Sequence, residues 1–226
     1  MYKYPKIETV YKRSTEGTKS LIIGDWRSDT IEMLAPYRIW DGYEKLDGSN
    51  HQIHWDGHRL NLLGRTESSN IPKHVTKYYE TKFNNNETEE LFEQLFGEKE
   101  YVLYFEAIGT KIQSCGGLYG DVRFVLLDVY NIANDSWWRY DCKDDPSLEQ
   151  YTIKGVAKAL GIECKKLVMQ GTIDDMIDFV KSRPISFFAK EGSDLVMEGV
   201  VVVPKVELKY ANGNRVIVKI KLCDFS

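Results

Sequence analysis

The chain has 226 residues, is 42% hydrophobic and 28% charged, and carries a net charge of −4 with a pI near 5.7. That composition excludes a disordered or low-complexity chain, and the acidic balance excludes nucleic-acid binding by bulk charge, leaving a local basic groove as the only electrostatic route. No apolar run reaches transmembrane length, no charged-then-apolar leader opens the sequence, and Cys115, Cys142, Cys164 and Cys223 have neither zinc nor CxxC spacing, so a cytoplasmic protein with reduced thiols and no membrane contact is expected.

In chain order, His51–Trp55 and Arg59–Leu63 flank Asp56-Gly57, a hairpin signal. Asn84-Asn85-Asn86 reads as a loop that leads into a helix. Leu91, Phe92, Leu95 and Phe96 give that helix its apolar face, and Gly97 stops it. Tyr101–Ile108 and Arg123–Tyr130 are rich in aromatic and β-branched residues and read as strands. The pattern predicts a helix over Leu148–Leu160 ending at Gly161, and another from an N-cap at Thr172 to before Pro184. Leu195–Val203, Val206–Tyr210 and Val216–Leu222 read as short strands broken by Pro204 and Asn212-Gly213-Asn214. Strands at hairpin spacing with interspersed helices give an α+β class, with antiparallel sheets flanked by helices.

The chemistry-bearing segment is Glu44-Lys45-Leu46-Asp47-Gly48-Ser49-Asn50. Taken alone it is a surface turn, because Asp-Gly is common in turns. Five further segments follow it: Gly64-Arg65-Thr66-Glu67, Tyr104-Phe105-Glu106-Ala107-Ile108-Gly109, Arg123 to Val129, Met197-Glu198-Gly199-Val200-Val201, and Val218-Lys219-Ile220-Lys221-Leu222. Lys219 and Lys221 alternate with apolar residues, so both point to one face of a strand. That face suits phosphate binding, and it equally suits solvent. Phe124 reads equally as a strand core residue, and Glu198 as a solvent-facing glutamate.

In order and approximate spacing, these segments resemble the six motifs of the covalent nucleotidyltransferases, over about residues 37–226. Asn50 after the KxDG box, and Gly64-Arg65-Thr66, are most similar to the RNA ligase 2 family. The resemblance implies a nucleotidyltransferase (ATP-grasp-like ligase adenylation) fold and an ATP-dependent RNA ligase that joins 5′-phosphate and 3′-hydroxyl ends. Lys45 would carry AMP covalently. Lys219 and Lys221 would bind phosphate oxygens, Arg65 and Glu106 the ribose, and Phe124 the adenine. Glu44 would belong to the nucleotide site. Glu198 would help hold a metal, and Asn50 would orient water or phosphate near it. Apart from the resemblance, Asp47, with Gly48, reads as structural, shaping the lysine loop rather than doing chemistry, and Asp128 as orienting its strand neighbours. ATP and Mg2+, with Mn2+ as an alternative, are the implied cofactors. RNA, as a nicked duplex or an RNA/DNA hybrid, is the implied partner of a monomer.

The sequence stops just past the Lys-x-Lys motif, so one adenylyltransferase domain over 1–226, without an OB or helical domain, is expected. A minimal DNA ligase and a non-catalytic nucleotide-binding module are the competing readings, and a capping guanylyltransferase is a weaker one. Lys73, Lys77 and Lys82, with Arg65, form a loose basic stretch suited to nucleic acid or to solvent. Lys111 is a further candidate contact. Ser114-Cys115-Gly116-Gly117 reads as a flexible loop near the nucleotide. The four histidines lack metal-ligand spacing.

Overall fold

The structure, a computed structural model, describes residues 3–66 and 69–225. Its elements are β1 (Glu8–Thr9), β2 (Tyr11–Arg13), β3 (Leu21–Trp26), α1 (Asp29–Leu34), β4 (Trp40–Lys45), β5 (Ser49–Trp55), β6 (Leu60–Gly64), α2 (Lys73–Lys82), α3 (Asn86–Phe96) and β7 (Tyr101–Ile108). They continue with α4 (Gly116–Tyr119), β8 (Arg123–Asn131), β9 (Ser136–Trp137), α5 (Ile153–Leu160), β10 (Glu163–Cys164), β11 (Leu167–Gly171), α6 (Ile173–Lys181), β12 (Gly199–Pro204) and β13 (Val218–Lys221). The class is α+β with largely antiparallel sheets. Among the described residues, only β1–β13 and β10–β8 pair in parallel.

The backbone divides into two compact units. A central unit comprises Met1–Tyr4 and Asp47–Lys165, and a terminal unit comprises Pro5–Leu46 and Lys166–Ser226.

The central unit holds a sheet of order β10-β8-β7-β5-β6, with β9 pairing β8. One face of β5 carries Ile53 and Trp55 into a core shared with Val75, Tyr79 and Phe83 around α2, Phe92 and Phe96 of α3, and Val156 and Leu160 of α5. Alternation along each strand puts the apolar set on this face. The opposite face carries Asn50 and Gln52, and Glu106 lies opposite Asn50.

The terminal unit holds a sheet of order β1-β13-β12-β4-β11 and a separate β2–β3 hairpin. Trp40, Val200, Val202, Val218 and Ile220 form one apolar face against Ile173, Met176, Ile177 and Val180 of α6. The other face of β4, β12 and β13 carries the lysines.

Three predicted elements differ. The helix expected over Leu148–Leu160 is a 3-10 turn (Pro146–Tyr151) followed by α5. Thr152 separates the two because its hydroxyl accepts from the Gly155 N–H and caps a new helix. Val206–Tyr210 is not a strand. Only the isolated Lys209–Arg215 bridge forms there, around the Asn212-Gly213 turn. The strand expected over Leu195–Val203 begins at Gly199.

Candidate active site

In the terminal unit, β12 lies between β4 and β13, with Gly199 opposite both Lys45 and Lys221 and Val201 opposite Lys219. Because side chains alternate, Lys45, Lys219 and Lys221 share one face. Glycine between Lys45 and Lys221 leaves no side chain to separate them. A Cβ on Gly199 would lie 2.0 Å from the Ile220 carbonyl oxygen, so the close approach of β12 and β13 requires glycine. Glu198 reaches in from the adjacent residue. One carboxylate oxygen accepts from Lys45 Nζ at 2.5 Å, and the other pairs with Lys221 Nζ at 2.7 Å. The Leu222 N–H donates to the Glu198 carbonyl at 2.8 Å, tying the residue to the end of β13.

The electrostatics differ along the row. Burial lowers the pKa of Lys219, and the charges of Lys45 and Lys221 lower it further. Burial opposes the charged form of Lys221 as well, but the hydrogen bond and charge of Glu198 outweigh it and raise that pKa. The row is therefore a cationic surface with one internal carboxylate and one lysine, Lys219, whose charge the protein does not fully compensate. Such a surface favours an incoming phosphate chain.

Glu44 lies on the other side of β4. Its carboxylate accepts from the Ser186 hydroxyl and, at 2.9 Å, from the Phe187 N–H, and it is 3% exposed. The two-residue period of the strand turns Glu44 away from Lys45, and its oxygens anchor the segment 186–187.

In the central unit, the Asp47-Gly48 turn is held by the loop between β7 and β8. Cys115 Sγ donates to Asp47 Oδ2 at 3.1 Å, the Asp47 N–H donates to the Tyr119 hydroxyl at 3.1 Å, and Gln113 Nε2 donates to the Gly48 carbonyl at 3.0 Å. Arg123 Nη1 in turn holds the Tyr119 carbonyl at 2.7 Å. The sequence offered only a flexible loop here. Its specific signal is Lys111 and Gln113, both at positive φ, in a tight Gly-rich turn. A Cβ on Gly48 would sit 2.3 Å from the Ala107 carbonyl oxygen and 2.8 Å from Glu106 Cγ. This glycine is what lets the turn lie against Glu106.

Glu106 and Asn50 are directly opposite on β7 and β5, and both are partly exposed. Asn50 Nδ2 donates to the Phe105 carbonyl at 3.3 Å. Arg65 is exposed just beyond β6, and Glu67 lies outside the described residues. Phe124 is 1% exposed and packs against Phe83, Phe105, Tyr78 and His51. The ring is part of the central unit's apolar core. Asp128 is buried, accepting from Lys165 Nζ at 2.9 Å and from the Tyr4 hydroxyl at 2.6 Å.

Among the described residues, no group of three or more His, Cys, Asp or Glu side chains converges on a metal position. Among them, too, no helix is long and apolar enough to cross a membrane.

The backbone resembles solved structures of Naegleria gruberi RNA ligase: a variant with ATP and Mn (TM-score 0.60, 16% identity), a variant with AMP and Mn (TM-score 0.60, 15% identity) and the ligase with PPi (TM-score 0.56, 14% identity). Each match covers 96% of this chain but 58% or 59% of the other, so this chain spans under two thirds of the ligases it resembles. The fold is that of the nucleotidyltransferase domain of RNA ligases. A search of the curated proteins gave no match. The family model for RNA ligase matches residues 40–221, and the chain belongs to the RNA ligase family.

Proposed function

We propose that the protein is an ATP-dependent RNA ligase that works through a covalent lysyl-AMP on Lys45. The observation that carries this reading is the row of Lys45, Glu198 and Lys221, with Lys219 beside it, on one strand face. Membership of the RNA ligase family supports it, as do the ATP, AMP and Mn named for the Naegleria structures.

In the first step Lys45 Nζ attacks the α-phosphorus of ATP. The P–N bond forms, the bond to the bridging oxygen breaks, and pyrophosphate leaves as the amine loses its proton. Lys219 and Lys221 bind the phosphate oxygens and neutralise charge as it develops on the leaving group. Glu198 accepts from Lys45 Nζ at 2.5 Å, so that contact has to be given up for Nζ to reach the α-phosphorus.

Mg2+ or Mn2+ fits this site only as a hydrated ion shared with the nucleotide. Glu198 bonds both Lys45 and Lys221, and such ions are commonly held by one or two carboxylates completed by phosphates and water. Glu198 would hold the ion, which would supply charge to the phosphates.

Glu106, Asn50 and Arg65 stand as the ribose and phosphate contacts. Asp47 and Gly48 shape the turn that follows the nucleophile. AMP then passes to a 5′-phosphate end, and a 3′-hydroxyl attacks that end and releases AMP.

The test is incubation with ATP labelled at the α-phosphate, followed by denaturing electrophoresis. Label retained on the wild type and absent from Lys45→Ala is expected. A wild type that takes up no label, or a Lys45→Ala variant that does, overturns the proposal. Nicked substrates with RNA or DNA on each side of the break then decide between RNA and DNA joining.

A further inference from the structure

Gln52 is 0% exposed, and neither its Nε2 nor its Oε1 has a hydrogen-bond partner among the described residues. Burying an unpaired amide is costly, so the position calls for a reason. The residue sits on the face of β5 opposite Ile53 and Trp55, two positions after Asn50. Asn50 Oδ1 is also buried without a partner among the described residues. Across the strand pair, Asn50 lies opposite Glu106 and Gln52 opposite Tyr104. One sheet face thus carries a carboxylate and two amides in adjacent positions. It is partly exposed at Asn50 and Glu106 and closed at Gln52.

Neighbouring positions on a sheet face lie within reach of one small ligand, since directly opposed Cβ atoms are about 5 Å apart and diagonal ones about 7–8 Å. The free valences are one amide acceptor on Asn50 and both an acceptor and donors on Gln52. A phosphate would use donors alone, and a cation acceptors alone. A hydroxyl is donor and acceptor at once, and a ribose presents hydroxyls together. We propose that Gln52 is a specificity-determining residue that pairs with a ribose hydroxyl, with Asn50 and Glu106 beside it. This rests on the ligase reading above and extends it to a residue outside the six motifs. The same chemistry is offered by the ribose of ATP and by the ribose at the 3′ end of an RNA strand.

Two arms separate these sources. The first compares the rate of AMP transfer to the protein from ATP and from 2′-deoxy-ATP. The second supplies a strand already carrying a 5′-linked AMP, omits ATP, and compares joining to acceptor ends with ribose or 2′-deoxyribose. The variant is Gln52→Leu, of similar size without polar atoms, with Gln52→Met as a second. Wild type is expected to prefer ribose in one arm, and both variants to lose about tenfold of that preference. Loss in the first arm assigns the ATP ribose, and loss in the second assigns the RNA end.

A ribose-to-deoxyribose ratio in the variants equal to that of wild type in both arms overturns the proposal. So does a wild type that is active without any preference. Failure of the ligase reading looks different, because wild type then takes up no label and joins no ends. Thermal melting of both variants is expected to hold or rise, since an unpaired amide is removed. If neither variant folds, Gln52 is a structural group and the proposal falls.

Discussion

Two lysines two positions apart on β13 carry opposite shifts, and this separates stability from function. The folded pKa of Lys219 is depressed, so its charged form is disfavoured by folding. The penalty is fully present at neutral pH and is relieved only as pH rises through the folded value toward that of a free lysine. Lys221 is raised, so its contribution is stabilising at neutral pH and is lost only as pH climbs above the usual lysine range. Lys219→Met is expected to melt no lower than wild type at pH 7 while losing adenylylation. Lys221→Met is expected to lose both, because Glu198 then keeps one partner. Differential scanning fluorimetry beside the labelling assay checks the pair, and a Lys219→Met variant with full labelling would remove that lysine from the chemistry.

His51 gives a second prediction at this scale. Burial, reinforced by the charge of His74, lowers its pKa to about 4. The folded protein therefore holds it neutral, and the unfolded chain takes up the proton from about pH 6.5 downward. Stability is expected to fall by roughly 3 kcal/mol at most as pH drops from 6.5 through 4, on 1.36 kcal/mol per unit. A His51→Leu variant should flatten that part of the urea-unfolding profile, and an unchanged profile would assign the acid sensitivity elsewhere. Gly48→Ala is a third case. Its Cβ would meet the Ala107 carbonyl and the Glu106 side chain, and a destabilisation of about 1–3 kcal/mol with loss of labelling is expected.

The residue scale is also where the sequence was most and least legible. The shared face of Lys219 and Lys221 follows from alternation alone. Alternation also turns Glu44 away from Lys45, but which neighbour meets its carboxylate depends on the 186–187 segment, far along the chain. Phe124 is ambiguous in sequence because a buried ring and a base platform have the same composition. Gln52 gives no local signal, since an unpaired amide is visible only once its neighbours are placed.

At the scale of elements, caps were read better than extents. Thr172 caps α6 as expected, with a reciprocal bond from its N–H to Asp175 Oδ2 at 2.9 Å and from the Asp175 N–H to its hydroxyl at 3.1 Å. Thr172→Ala is expected to cost about 1 kcal/mol, measured by chemical denaturation. A change near zero would mean that packing of Ile173, Met176 and Val180 alone fixes this helix. The hairpin at Asp56-Gly57 formed as read, and α3 formed with Asn85 as its cap. The helix α2 was legible only as a basic stretch. Its buried face is sparse (Val75 and Tyr79), while Lys73 and Lys77 face outward. The strands β1 to β3 are too short or too irregular to show a period. β1 is fixed instead by pairing with the distant β13, and β2 and β3 by pairing with each other.

For the molecule as a whole, a ligand that binds only the folded chain adds stability by mass action. ATP at 100 times its dissociation constant adds about 2.7 kcal/mol, which corresponds to roughly 5–10 °C for a chain of this size. Lys45→Ala is expected to keep most of that shift, because it removes the covalent step and leaves Lys219, Lys221 and Glu198 in place. Calorimetry with and without ATP and Mg2+ checks this, and a variant that loses the whole shift would make Lys45 a binding residue first.

The terminal unit is written in two pieces, Pro5–Leu46 and Lys166–Ser226, on either side of the central unit. Lys45 and Glu198 are 153 positions apart, and Arg13 meets Asp224 across 211. On the ribosome, where chains emerge N-terminus first, the central unit can fold while the first piece still waits for its partners. Lys45 is made early, and Glu198, Lys219 and Lys221 are made last. A nascent chain would thus carry Lys45 without its charge partners until β13 has emerged. If Lys45 carries AMP as proposed, a stalled or prematurely released product that lacked β13 would be unable to capture it.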